Sequence, residues 1–283
     1  MLEHTFCHAP GVGPTSEKRL WEAGIDSWEK ALTADKLPLG KSTATKLQAF
    51  LERSSQSLQR GDAEFFAEHL PSAEHWRLFP TYRDSVAYVD IETTGLGGPG
   101  DYITTIVLYD GDTLRHYVQG QNLLDFKNDI AAYQLLVTFN GKTFDAPFIR
   151  NYLHARLPQA HIDLRYVLSS MGLRGGLKNC ERQLGIGRDD VQDIDGYFAV
   201  LLWWDYHNGG NAQALETLLA YNAADVVNLE QLMVLAFNMK LRGIPFATHH
   251  RIADPHPPEI PFKADPATIT RLRRSTGWNY GEY

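Results

Sequence analysis

Cysteine is scarce in this chain of 283 residues, which has only Cys7 and Cys180. Two cysteines make neither a disulfide framework nor a zinc site. No apolar run approaches the ~20 residues of a membrane-spanning helix. The first residues, Met1-Leu2-Glu3-His4, lack the basic-then-apolar layout of a secretion signal, so a cytoplasmic protein is the expectation. Positive charge is short as well: 27 Lys and Arg against 34 Asp and Glu leave a net charge of −7. That balance argues against tight, non-specific coating of a duplex. It leaves room for a protein that holds a few nucleotides through metal ions, whose charge would offset the carboxylates. No internal repeat is visible. What is present, 43% hydrophobic and 22% charged residues, is the composition of a globular protein. The length suits one large domain or two small ones.

The chain is organised around Val89-Asp90-Ile91-Glu92-Thr93-Thr94-Gly95-Leu96. It reads as the end of a buried strand stopping at a small-residue turn. Residues at i and i+2 on a strand share a face, so Asp90 and Glu92 project together, away from Val89 and Ile91. Two carboxylates held that close are costly without a positive charge between them. A divalent cation with hard oxygen ligands, Mg²⁺ or Mn²⁺, satisfies both. A lone Asp-x-Glu pointing into water is the plain alternative, and further carboxylates downstream weigh against it. Leu135 to Phe139, closed by Asn140-Gly141, reads as a second buried strand and turn. Lys142-Thr143-Phe144-Asp145 then leads into a helix over Ala146–Leu157. Asp145 sits at that strand-turn-helix junction, either facing the same pocket or capping the helix. Tyr221-Asn222-Ala223-Ala224-Asp225 lies in a helical pattern, and Tyr221 and Asp225, four apart, share one helix face.

Taken together and in this order, D-I-E-T-T-G-L, N-G-K-T-F-D and Y-N-A-A-D resemble the three motifs of the DEDD superfamily of 3′–5′ exonucleases. The third, Y-x-x-x-D, is that of its tyrosine branch, which includes proofreading domains of bacterial DNA polymerases. The histidine branch would place His where this chain has Ala220. The wider context is similar to the bacterial YprB-like family of ribonuclease H-like exonucleases: His75-Trp76-Arg77-Leu78-Phe79, Gly176-Leu177-Lys178 with Glu181 and Leu184-Gly185, and Trp203-Trp204-Asp205-Tyr206. The resemblance covers roughly residues 5–240. It implies an α/β ribonuclease H-like mixed sheet flanked by helices, acting on nucleic-acid 3′ ends with two Mg²⁺ or Mn²⁺ ions. It also implies roles. Asp90 would bridge both metals, Glu92 and Asp225 would complete the site of the water-activating ion, and Asp145 would hold the second. Tyr221 would orient the attacking water, since an unperturbed phenol is mostly protonated at neutral pH. Thr93, Asn140 and Lys178 are candidate substrate contacts, Asn140 also fixing the turn that aims Asp145.

Three regions follow: a helical N-terminal region (1–80), the exonuclease domain (81–242) and a Pro-rich extended tail (243–283). In the first, His8-Ala9-Pro10-Gly11-Val12-Gly13-Pro14-Thr15 opens a helix and resembles half of a helix-hairpin-helix motif. It could hold a phosphate on backbone N–H groups or be a structural cap. Helices are also expected over residues 42–57 and 62–70. The domain opens with strands at Val86–Ile91, Tyr102–Tyr109 and Thr113–Val118, the last two joined by the hairpin turn Asp110-Gly111-Asp112. A helix over Leu124–Tyr133, a short strand ending at Asp163 and a helix over Arg165–Met171 follow. Asp163 reads as a cap and is left out of the site. Arg174 to Asn179 opens a further helix whose N-terminus, with Arg174 and Lys178, could meet a phosphate or simply be solvated. Trp203-Trp204 reads as core, with base stacking the sharper alternative. In the tail, Arg271, Arg273 and Arg274 with Trp278, Tyr280 and Tyr283 could hold a single strand or dock on the enzyme. Two rivals to an exonuclease are a ribonuclease H-type endonuclease, which Y-x-x-x-D argues against, and a non-catalytic nucleic-acid-binding module, which the full carboxylate set argues against.

Overall fold

The structure is a computed structural model and describes residues 1–187 and 196–276; Trp278, Tyr280 and Tyr283 lie outside the described residues. Helix α1 (Pro14–Glu22) starts at a proline, whose missing N–H has no role in a first turn. The segment before it holds a single 3₁₀ turn, Leu2–His4. The Glu17 carboxylate binds that segment from below, accepting from the Thr5 hydroxyl (2.8 Å) and from the amides of Phe6 (2.6 Å) and Cys7 (3.2 Å). Arg77 closes the same buried group with a 2.7 Å ion pair to Glu17. Helix α2 (Trp28–Thr33), which the apolar spacing did not announce, begins where the Ser27 hydroxyl accepts from the Lys30 amide. α3 (Lys41–Gln59), α4 (Ala63–His69, capped by Asp62) and the single turn α5 (Phe79–Tyr82) complete this stretch.

Five strands form one mixed sheet: β1 (Val86–Thr93), β2 (Ile103–Tyr109), β3 (Leu114–Val118), β4 (Leu135–Thr138) and β5 (Ala160–Asp163). The order is β3-β2-β1-β4-β5, with β2 antiparallel to β1 and β3, and β1, β4 and β5 parallel. This is the ribonuclease H-like α/β sheet that the motif resemblance implies. The hairpin between β2 and β3 turns at Gly111 (φ 97°), with the Asp110 carboxylate accepting from the amides of Asp112 and Thr113.

Period-2 alternation gives the sheet two apolar faces. Val89, Ile91, Ile106, Leu108 and Leu136 pack with α6 (Phe126–Ile130) and α7 (Asp145–Leu153) on one side. Tyr88, Val107, Tyr109 and Val137 pack on the other, in one core with Leu20, Trp28, Leu47, Phe66 and Trp76 of the N-terminal helices. That core also takes in α8 (Leu164–Ser169), α9 (Leu177–Leu184) and, beyond α10 (Gly196–Gly209), the long helix α11 (Ala212–Leu241).

Three local expectations change. The single helix over Leu124–Tyr133 is a 3₁₀ turn, Leu123–Asp125, followed by the short α6, because Asn122 ties the chain back to the Val118 amide and the His116 carbonyl. α7 stops at Leu153 rather than Leu157, ended by His154 in the left-handed region (φ 52°). The tail is not extended throughout: α12 (Pro266–Thr276) forms within it, with Asp265 accepting from the Thr268 amide and Pro266 in the first position. α12 docks on α10 through an Arg271–Asp205 ion pair and through Leu272, buried in a cluster with Phe198 and Trp203. Trp203 is fully buried and donates its indole N–H to the Tyr102 hydroxyl, whereas Trp204 is partly exposed.

Candidate active site

The carboxylates gather at the carboxyl ends of β1 and β4. In open α/β sheets such strand ends open into a crevice where ligands bind. Asp90 and Glu92 leave the same face of β1, and the β1–β2 register slips between Glu92 and Thr93, ending the regular ladder there. α11 crosses that face and brings Asp225 down onto the pair. One oxygen from each of Asp90, Glu92 and Asp225 lies within 4.8 Å of the others, Glu92 and Asp225 being buried. Three like charges so close, in part withdrawn from water, repel strongly unless a cation joins them. An all-carboxylate donor set suits a hard divalent ion. This cluster could hold a metal ion.

Asp145 is not in that group. At the first position of α7 it is buried, and its Oδ1 accepts from the Ile91 amide at 3.2 Å, between the two β1 carboxylates in sequence. Burial pushes its carboxyl up to about 7, against the bonds from two backbone amides; the nearby Asp163 charge adds to the rise. The turn that delivers Asp145 is tightly specified. Asn140 takes a left-handed conformation (φ 66°). A Cβ on Gly141 would overlap the Thr138 side chain, so only glycine fits. Asp163, left aside in the sequence reading, is the organiser: it accepts from the amides of Asn140 (2.8 Å), Lys142 (3.0 Å) and Arg165 (3.1 Å).

Tyr221 is buried beside the cluster, one helical turn before Asp225, with the Lys178 ammonium 4.9 Å from its ring centre. Thr93 is buried, its hydroxyl donating to the Gly95 carbonyl (2.6 Å), so it shapes the loop after β1. The Asn140 side-chain oxygen accepts from the Arg165 guanidinium (2.5 Å) and the Thr143 hydroxyl (3.0 Å).

Sequence reasoning missed Asn222. It is fully buried, donates Nδ2–H to Asp90 Oδ2 at 2.7 Å and accepts from the Thr105 hydroxyl at 3.2 Å. Because a carboxylate only accepts, the amide nitrogen must be the atom facing Asp90. The signal was available: an amide amid Ala220, Ala223 and Val226 on a helix that reads as core needs a polar partner.

A family model described as the RNase_H superfamily matches residues 87–237, the stretch that carries the sheet, α7 and most of α11. The chain belongs to that superfamily. Among individual proteins, the chain is similar to the "Uncharacterized protein YprB" of Bacillus subtilis (strain 168), with 30% identity over 178 residues. That match takes in 54% of this chain and 42% of the relative, so less than half of the relative's length is represented. Among solved structures, the family B DNA polymerase of the archaeon Pyrobaculum calidifontis aligns at a TM-score of 0.41 and 16% identity, over 59% of this chain and 27% of that one. Among the described residues no helix is long and apolar enough to cross a membrane.

Proposed function

We propose that this RNase_H superfamily member is a 3′–5′ exonuclease of the DEDD tyrosine type, releasing nucleoside monophosphates stepwise from a single-stranded DNA or RNA 3′ end. The observation that carries the reading is the convergence of Asp90, Glu92 and Asp225 within 4.8 Å at the end of β1. Asp90, Glu92 and Asp225 would hold one divalent ion, and Asp90 with Asp145 a second. Bound there, Mg²⁺ or Mn²⁺ would supply Lewis-acid neutralisation of the phosphate and an acidified water.

The chain's own residues do the rest. Asn222 holds the Asp90 carboxylate in one orientation, and the Ile91 amide holds that of Asp145. Tyr221 orients the attacking water through its hydroxyl. Lys178, beside that ring, supplies positive charge toward the scissile phosphate. Thr93 and Asn140 act on the terminal nucleotide through the loop and turn that they shape. The cytoplasmic setting belongs to this proposal and accords with two cysteines that are both free and buried.

The test is a 5′-labelled single-stranded DNA and an RNA of equal sequence, incubated with Mn²⁺, Mg²⁺ or EDTA beside Asp145→Ala. A metal-dependent ladder shortening from the 3′ end, absent in the variant, is the expected result. Internal cuts would replace the reading with an endonuclease, and binding without any cut would replace it with a binding module.

A further inference from the structure

Two hollows meet at the exposed Thr143, two residues before Asp145. One lies under the loop after β1 and carries the carboxylate of Asp101, which accepts from the amides of Gly97 (3.0 Å) and Gly98 (2.7 Å). The other, of about 940 Å³, runs between the turn after β4, α8 and the start of α9. Its wall carries the guanidinium groups of Arg165 and Arg174, the exposed ring of Tyr166, and no carboxylate. In a protein of net charge −7, that is a local reversal of sign. Arg165 is held against the wall by Asn140, and neither arginine has a carboxylate partner among the described residues. Two of its lining residues lie close in the chain to residues of the candidate site. Thr143 leads to Asp145, and Leu177 on its wall precedes Lys178, which stands over Tyr221.

We infer that this groove is the path of the single strand behind the reacting 3′ end. Arg165 and Arg174 take successive phosphates and Tyr166 stacks on a base, while the hollow with Asp101 repels a polyanion and is not the exit. Guanidinium groups along a trench with an exposed aromatic ring are the chemistry that holds single-stranded nucleic acid without reading its sequence. A duplex would present its bases already stacked and offer Tyr166 nothing.

The inference rests on the nuclease reading, yet the two fail separately. The measurement is the anisotropy of a 5′-fluorescein twelve-nucleotide oligothymidylate titrated with the full chain in EDTA over a series of salt concentrations. Each phosphate contact to a single strand contributes ~0.7 to the slope of log affinity against log salt. Arg165→Ala with Arg174→Ala should therefore lower that slope by ~1.4. Tyr166→Ala should weaken binding roughly 5- to 150-fold with the slope unchanged. Arg156→Ala, outside the groove, should change neither. An unaltered slope in the double variant, an equal loss of slope on a blunt duplex, or no measurable binding by the wild type would each overturn the groove. A 3′ ladder with an unaltered slope leaves the exonuclease standing and removes the groove. A lost slope with no ladder under any metal does the reverse.

Discussion

Asn222 offers the sharpest test of how the site is built. Its amide donates to Asp90 at 2.7 Å from a fully buried position, with the Thr105 hydroxyl holding the other end of the same group. A hydrogen bond to a charged group contributes about 1.5–3 kcal/mol, or roughly a 10- to 150-fold change in an equilibrium constant. Asn222→Ala keeps all three carboxylates but frees Asp90 to rotate away from Glu92 and Asp225. Divalent affinity should therefore fall by about 10- to 100-fold, the range seen when a partner that orients a metal ligand is removed. Thr105→Val loosens the asparagine without removing it and should cost several-fold less. The assay is calorimetric titration with Mn²⁺, beside thermal unfolding to establish that each variant folds. A folded Asn222→Ala protein that binds Mn²⁺ within about twofold of wild type would refute the orienting role, since the predicted loss begins near tenfold.

Further outcomes can be checked by denaturation. Glu17→Ala leaves the buried Arg77 guanidinium with Glu74 as its one remaining carboxylate partner and strands the amides of Phe6 and Cys7 in the core; urea unfolding should show a loss of about 3–5 kcal/mol. Asp145 has its folded pKa raised to about 7 from 3.8, so the folded state binds the extra proton and stability declines as pH rises through that window. In EDTA, Asp145→Asn should therefore gain on wild type at pH 8 and lose that gain near pH 4, by chemical denaturation at both. His8 and His161 have the opposite sign. Burial lowers both to about 3 from 6.5, so their stabilising share is complete above 6.5 and is lost as pH falls toward 3. Between pH 6 and 4, His8→Phe should reduce the slope of stability against pH by about 1.4 kcal/mol per unit, whatever it does to absolute stability.

Much of this was legible because it is written in short-range pattern. Alternation around Asp90 and Glu92 gave both the strand and the shared face of the carboxylates, and Asp110-Gly111-Asp112 gave the hairpin. Other features depend on partners far along the chain. Glu17 reads as a surface helical residue until Arg77, sixty positions away, is folded against it. Asp163 reads as a helix cap, which it is, but nothing local says that its oxygens also take the amides of Asn140 and Lys142. The tail misled for a different reason. Prolines mark extended chain on average, whereas Asp265-Pro266 is the pairing that starts a helix, and its position rather than its composition carried the information.

The three amides gathered by Asp163 tie together parts that would otherwise vary independently. One carboxylate sets the turn that points Asp145 at β1 and fixes the start of α8, where Arg165 and Tyr166 stand. Any drift at this position shifts the Asp145 turn and the groove wall at once. A lineage adapting to a new substrate could trade Arg174 or Tyr166 freely, since each projects from its own backbone into solvent. It could not re-aim Asp145 without carrying Arg165 along.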